Sequence, residues 1–342
     1  MIIQRYPHST TIVSNQAPFT DALDWLGFLC SKNYLIELLS TKHGLSTQDS
    51  TERAKRIVPY IRIASSYVEQ SLYGPKEISF LPAYYAILNL MRVYILLGPK
   101  HMDFEKNRRH GASYSIYSKK SHTVSTEIIK IISKGTISLF YESLTGQKIT
   151  KNEIEIKMGD IFPYVSGIEY EYELATAQKP KICQLDLNFF ERGGANKPRI
   201  RVIDREEDLK KSELKFLKSF KKHPTEKNIF VGEKIPENIN NEEMKIEEAS
   251  KQVNTFLIYH IRENSFHTPI SNRRIMLPQE LPIVLLFFYM SSVVRYRPEF
   301  LEKIMDTKFW PFLSAARTHS FYTFIILFWS FMHQENYNVR TN

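Results

Sequence analysis

The residues best suited to chemistry lie in a cationic segment where two arginines and a histidine are consecutive. Arg108, Arg109 and His110 are followed by Gly111, whose backbone amide no side chain covers. Two guanidinium groups and an imidazole can hold phosphate oxygens through paired hydrogen bonds, so this segment is our main candidate for binding nucleic acid. Further lysines extend the positive charge along the same stretch of chain: Lys106, Lys119 and Lys120.

The same segment also fits a solvated loop that binds nothing. In that interpretation His110 caps the neighbouring helix, and Gly111 is present because the backbone needs a positive φ there. Tyr114 and Tyr117 favour the binding interpretation, because aromatic rings offer stacking surfaces to nucleic-acid bases. Both interpretations stay open at this point.

A second pair of cations, Arg295 and Arg297, flanks Tyr296 where the apolar run 281–294 ends. Cations at this place also suit the negative end of a helix dipole, which is a purely structural role. We include them among the candidate nucleic-acid-binding residues if the fold brings them close to the cationic segment around His110.

Charge and composition favour a polyanionic partner and exclude several classes of site. The 342-residue chain has 46 Lys and Arg against 37 Asp and Glu, a net charge of +9, which raises the expectation of nucleic-acid binding. Only Cys30 and Cys183 occur, so we expect neither a disulfide framework nor structural zinc, and we expect a cytoplasmic protein. No Gly-rich phosphate loop, His-Glu-x-x-His pattern or nucleophile elbow is present, and no cofactor is expected.

The apolar spacing predicts a mainly helical chain with strands in its middle. Helical periodicity covers 19–39, 50–72, 80–97, 125–133, 136–144, 150–158 and the C-terminal stretches 281–295, 298–305 and 309–333. Period-two alternation predicts strands at 181–191 and 199–203, joined near Gly193-Gly194, with further strands at 229–231 and 253–261. The apolar runs 281–290 and 321–332 are shorter than the ~20 residues of a membrane helix, so no membrane contact is expected.

These elements predict an α+β fold, predominantly helical, in which N- and C-terminal helices pack together around an inserted antiparallel sheet. The reason is that 281–294 and 321–332 are apolar nearly all round, and such helices must be covered on most sides. We divide the chain into an N-terminal helical region 1–178, an inserted α+β region 179–276, and C-terminal helices 277–342.

An ordered set of motifs resembles the YaaC-like family of bacterial proteins. It begins with the helix 82–90 followed by Arg92, continues with His110-Gly111, and ends with 289–298 and the helix around Trp310. Ser113 and Lys119-Lys120 belong to the same pattern. The resemblance covers 50–144 and 278–333, and it implies no settled biochemical activity.

A looser resemblance links 84–146 to HEPN-type helical domains, so the HEPN-like part is placed at about 80–146. HEPN ribonucleases use an Arg and a His separated by four to six residues, because the cation steadies the scissile phosphate while the imidazole moves a proton. Arg262 and His267 have this spacing and are the candidate catalytic pair of a metal-independent ribonuclease. Against this, the motif belongs on a helix in HEPN domains, whereas Arg262 here ends a predicted strand.

The sequence therefore leads to two hypotheses. The first is a nucleic-acid-recognising component of a bacterial defence or stress-response system, with RNA favoured over DNA and RNA cleavage as an open option. The alternative is a noncatalytic module of such a system that binds a protein partner or forms a homo-oligomer.

Overall fold

The computed structural model describes residues 9–14, 18–98, 104, 109–114, 123–192, 195–202, 220–236, 239, 245, 258–260, 265–269 and 278–341. Helices lie at both ends of this part of the chain, and the antiparallel sheets lie between them in sequence. The predicted α+β, predominantly helical fold is confirmed.

Among its described residues, the N-terminal part has one strand and four helices. They are β1 (Ser9–Ser14), α1 (Pro18–Leu29), α2 (Lys32–His43), α3 (Thr47–Tyr73) and α4 (Phe80–Leu97). The Ser46 hydroxyl starts α3 by accepting a hydrogen bond from the Asp49 amide at 3.1 Å, which satisfies one of the unpaired amides at a helix start. Pro82 lies in the first turn of α4, where its missing N–H costs no helical bond. Helices α3 and α4 pack side by side, and their seam carries the candidate site.

Between these helices and the large sheet, the chain forms a three-stranded antiparallel sheet and two short helices. The elements are β2 (Ala112–Tyr114), β3 (Ile128–Ile132), α5 (Thr136–Thr145), β4 (Glu153–Lys157) and α6 (Glu169–Thr176), with strand order β2-β3-β4. The predicted helices at 125–133 and 150–158 are wrong. Ile129 and Ile131 are buried on one face of β3, and Lys130 between them lies on the other face. In these short segments, the alternation of buried and less buried residues therefore outweighs helix propensity.

The larger antiparallel sheet has the strand order β7-β8-β6-β5-β10-β9. Its strands are β5 (Ile182–Arg192), β6 (Ala195–Val202), β7 (Lys221–Lys222), β8 (Ile229–Val231), β9 (Ile258–His260) and β10 (Ser265–Pro269). Strands β5 and β6 pair from Leu185 opposite Val202 to Arg192 opposite Ala195. The predicted antiparallel pairing of these two strands is confirmed, while Gly193-Gly194 lies outside the described residues.

The C-terminal part contains α7 (Glu280–Tyr296), α8 (Pro298–Met305), α9 (Phe309–His333) and β11 (Asn336–Thr341). Phe287 of α7 lies 5.5 Å from Phe80 of α4 and 5.6 Å from Phe321 of α9 between ring centroids. Strand β11 pairs in parallel with β1, and the Tyr34 hydroxyl lies 2.8 Å from His333 Nε2. The two ends of the chain therefore share one core, as their all-round apolar helices predict.

Helix α4 is the one described helix that is long and apolar enough to cross a membrane by length and composition, and 72% of it is buried inside the fold. Its burial is that of a core helix, since α3, α5, α7 and α9 all contact it. The division of the chain into three regions stays a prediction.

Candidate functional site

The backbone of residues 109–111 is fixed against the start of α5. The amides of Thr136 and Ile137 donate to the carbonyl oxygens of Arg109 and His110 at 2.7 and 3.1 Å. Gly111 has φ +80°, Gly135 has φ +146°, and a Cβ on Gly135 would lie 2.4 Å from the Gly111 Cα. Only glycine fits this contact, so the pair of glycines positions His110.

The imidazole of His110 rests on α4. Its Nδ1 lies 3.1 Å from the buried Tyr84 hydroxyl, and its ring meets that of Tyr85 edge-on at 6.4 Å. Burial lowers the pKa of His110, and the positive charges of Arg92 and Arg295 lower this pKa further. The imidazole is therefore neutral near pH 7, and the two charged groups that act on it, Arg92 and Arg295, are both positive.

Arg295 lies on the last turn of α7 with its guanidinium group between two tyrosines. Nη2 donates to the Tyr85 hydroxyl at 2.6 Å and Nη1 donates to the Tyr296 hydroxyl at 3.2 Å. The guanidinium carbon lies 5.3 Å from both ring centroids, within cation–π range. Tyr85 in turn stacks on Tyr67 of α3, with centroids 5.3 Å apart and planes 24° apart. We call the group Tyr67, Tyr85, His110, Arg295 and Tyr296 the Arg295 surface.

A further cation, Arg92, continues this surface along α4. Its guanidinium carbon lies 5.5 Å from the centroid of the Tyr60 ring, and Nη1 donates to Asn89 Oδ1 at 3.1 Å. Among the residues that the structure describes, the buried Nε of Arg92 has no hydrogen-bond partner. Neither Arg92 nor Arg295 forms an ion pair with a described carboxylate, so no carboxylate in this part of the chain neutralises their charge.

Arg297 has different surroundings, although it follows Arg295 by only two residues. Its Nη1 donates to the Tyr114 hydroxyl at 2.7 Å and to both carboxylate oxygens of Glu127 at 3.2 Å. The Tyr114 hydroxyl donates to the same carboxylate. Glu127 is 3% exposed and the Arg297 side chain is 17% exposed. The ring of buried Tyr289 meets Tyr114 edge-on at 5.7 Å; we call these four residues the Arg297 network.

The structure brings some of the predicted binding residues together and separates others. His110 and Arg295 meet at the adjacent tyrosines of α4, and the Arg109 side chain is exposed beside them. Arg297 turns into its own network, a geometry that disfavours its predicted contact with nucleic acid. Tyr114 belongs to that network too, so its hydroxyl is not available to a ligand. The remaining predicted binding residues lie outside the described residues: Lys106, Arg108, Lys119 and Lys120.

The predicted catalytic pair is only half described. His267 lies on β10, where its Cα partners are Gln184 of β5 and Ile258 of β9. Arg262 lies outside the described residues. A role for this pair in catalysis stays a prediction. Within the described ranges, no group of three His, Cys, Asp or Glu side chains is placed to hold a metal ion.

Sequence reasoning missed the contribution of α3 and the partner of Arg297. Tyr60 and Tyr67 are seven residues apart, which places both on one face of α3. That spacing is a usable signal, because a pair of aromatic residues on one helix face marks a shared contact surface. Glu127 gives no such signal, since its partner Arg297 is distant in sequence.

Comparison with known proteins identifies the family. Residues 28–332 match the family model described as YaaC-like protein. The match includes the middle region as well as the motifs at 50–144 and 278–333. No curated protein and no solved structure matches the chain significantly. The chain belongs to the YaaC-like family.

Proposed function

We propose that this member of the YaaC-like family recognises nucleic acid, RNA in preference to DNA, through the Arg295 surface. One observation carries the proposal: His110 and Arg295 meet at Tyr84 and Tyr85, Arg92 lies further along the same helix over Tyr60, and no described carboxylate pairs with either arginine. A cationic patch that no described carboxylate compensates attracts a polyanion.

The chemistry of the patch suits a phosphate group. The guanidinium of Arg295 has five N–H donors, and the tyrosine hydroxyls accept from only its two terminal nitrogens. Donors therefore remain for phosphate oxygens, and the tyrosines hold the planar group in one orientation. His110 bonds through Nδ1 alone among the described residues, which leaves Nε2 for a ligand.

The biological setting is a further part of the proposal. The preference for RNA and the role in a bacterial defence or stress-response system rest on the resemblance to HEPN domains, which stays a prediction. The cytoplasmic location rests on the low cysteine content. If the protein cleaves RNA, Arg262 and His267 are the first residues to replace, and H267A should abolish cleavage without weakening binding.

Salt-dependent binding tests the proposal. We would measure the fluorescence anisotropy of a labelled 20-nucleotide RNA between 50 and 300 mM KCl, for the wild-type protein and R295A. Counterion release predicts that log Kd rises linearly with log salt, and that R295A lowers this slope by about 0.7 while weakening binding about fivefold to tenfold.

The matched control is K179A, which removes one exposed positive charge after α6. The Lys181 amide donates to the Pro163 carbonyl oxygen at 2.8 Å, and the Gln279 amide donates to Ser166 Oγ at 3.0 Å. The chain around Lys179 therefore lies on the side of the start of α7, and Arg295 lies at the other end of this helix, roughly 25 Å away. K179A should leave the affinity unchanged. Binding without salt dependence, or equal losses in R295A and K179A, contradicts the proposal.

The alternative, a noncatalytic interaction or self-assembly module, has its own supporting observation. Tyr170 and Leu174 are 71% and 63% exposed, and they lie on one face of α6 because they are four residues apart. Light scattering after size exclusion would separate the two functions. A wild-type oligomer that dissociates in the double variant Y170S/L174S, together with absent RNA binding, favours the alternative.

A further inference from the structure

We infer that the nucleic acid bound at the Arg295 surface is single-stranded, with an unpaired base stacked on Tyr296 and the backbone following the seam of α3 and α4. This inference rests on the proposed function and names the class of nucleic acid that the site takes. Its basis is the arrangement of rings and cations along the seam.

The ring of Tyr296 is exposed beside the Arg295 guanidinium group. Tyr296 is 56% exposed although it is large and apolar, and its hydroxyl is held by Arg295. Stacking on such a ring requires a base whose face is open. In a duplex the neighbouring base pairs cover those faces, whereas a single strand presents them, and each stacked base adds substantially to affinity.

The contacts between α3 and α4 are regularly spaced along the two helices. Tyr60 and Tyr67 on α3 are seven residues apart, and so are Tyr85 and Arg92 on α4, which corresponds to about 10 Å along a helix axis. Tyr67 stacks on Tyr85, and Arg92 lies over Tyr60. The seam therefore has two aromatic contacts, each beside an arginine.

His110 lies within the electrostatic influence of both arginines. The positive charge on the seam therefore comes from Arg295 and Arg92, and the neutral imidazole of His110 lies beside Tyr84 and Tyr85. Two groups of rings, each beside an arginine and about 10 Å apart, match a single strand, in which phosphates and open base faces alternate over a few nucleotides. A duplex contact would need a broader set of cations facing two phosphate backbones.

The test compares one 12-nucleotide RNA as a single strand and as a blunt duplex with its complement. The wild-type protein should bind the single strand at least tenfold more tightly. Y296A should weaken single-strand binding about tenfold, and Y296F should bind like the wild type because its ring remains. Y170A is the matched control, since Tyr170 is also an exposed tyrosine and follows Ser166, which contacts the residue before α7 at the end away from Tyr296.

The outcomes separate this inference from the proposed function. Equal affinity for duplex and single strand, or an unchanged affinity of Y296A, overturns the inference and leaves nucleic-acid recognition standing. Absence of binding to either form overturns the proposed function itself. Because Tyr296 is exposed, the variants should keep the wild-type circular dichroism spectrum, which excludes loss of folding as the cause.

Discussion

Arg295 and Arg297 are two residues apart, yet the molecule uses them in opposite ways. Residues two apart on a helix are rotated by about 200° around its axis, so their side chains point to nearly opposite sides. Moreover, the helix breaks at Arg297, because Pro298 disfavours helical geometry in the residue before it. Arg295 consequently faces solvent over Tyr85 and Tyr296, while Arg297 turns inward to Glu127.

This difference shows that the role of each arginine depends on the groups that contact its guanidinium. Glu127 is buried and ionisable, so it needs a compensating charge, and Arg297 provides one within the Arg297 network. Arg295 has aromatic neighbours and no carboxylate partner among the described residues, so its charge remains available to a ligand. The Arg297 network should therefore govern stability, and the Arg295 surface should govern binding.

The largest expected effect comes from removing the guanidinium of Arg297. R297M keeps an apolar stem over Phe300 but removes the guanidinium group that pairs with the buried Glu127 carboxylate, so the free energy of unfolding should fall by about 3 kcal/mol. R295M is the matched control and should change it by less than about 1 kcal/mol. Urea unfolding followed by circular dichroism measures both. Similar losses in the two variants would remove the distinction between the two regions.

A smaller loss of stability should follow from disturbing the glycine contact that positions His110. G135A places a Cβ 2.4 Å from the Gly111 Cα at a positive φ, so the free energy of unfolding should fall by about 2 kcal/mol or more. RNA affinity should fall as well, because the His110 backbone moves. In contrast, G27A meets nothing within 4 Å inside α1 and should raise stability by about 0.5–1 kcal/mol. A harmless G135A would contradict this account of the His110 loop.

The smallest effect is a pH dependence with opposite signs for stability and binding. The pKa of His110 is lowered by burial and by two cations, so its contribution to stability is present above the ordinary histidine pKa of about 6.5 and is lost as pH falls through the folded-state value. A bound phosphate favours the protonated imidazole, so RNA affinity should instead rise about threefold between pH 7.5 and 5.5.

H110Q isolates this contribution. His43 and His333 also have pKa values lowered by burial, but they lie at the contact between α2 and α9 and remain in the variant. RNA binding by H110Q should therefore lose the rise at acid pH, while the stability change from the other histidines persists. An identical pH profile of binding in H110Q would exclude His110 from the site.

Much of the fold could be predicted because its long core helices are continuous apolar segments. The apolar runs of α4, α7 and α9 predict both the helices and their mutual burial. The prediction was wrong for the short segments around Ile129 and Ile156, because a pattern of five residues cannot distinguish a strand from one turn of a helix. Tertiary pairing of β2, β3 and β4 decides their conformation.

The candidate site was predictable in part. Residue types pointed to His110 and Arg295, and the structure brings them to the same tyrosine pair. The different orientations of Arg295 and Arg297 follow from helix geometry and Pro298, so the sequence contained that information. The identity of the carboxylate partner did not follow, because Glu127 is 170 residues away from Arg297 and its burial is a tertiary property.

The most direct test of the central claim locates the bound RNA. Single-stranded RNA with 4-thiouridine would be cross-linked to the wild-type protein, and the modified peptides would be identified by mass spectrometry. The account predicts cross-links at Tyr296 and along Tyr67 and Tyr85, reduced in R295A and retained in K179A. Cross-links confined to the large sheet or to α6, unaffected by R295A, would contradict it.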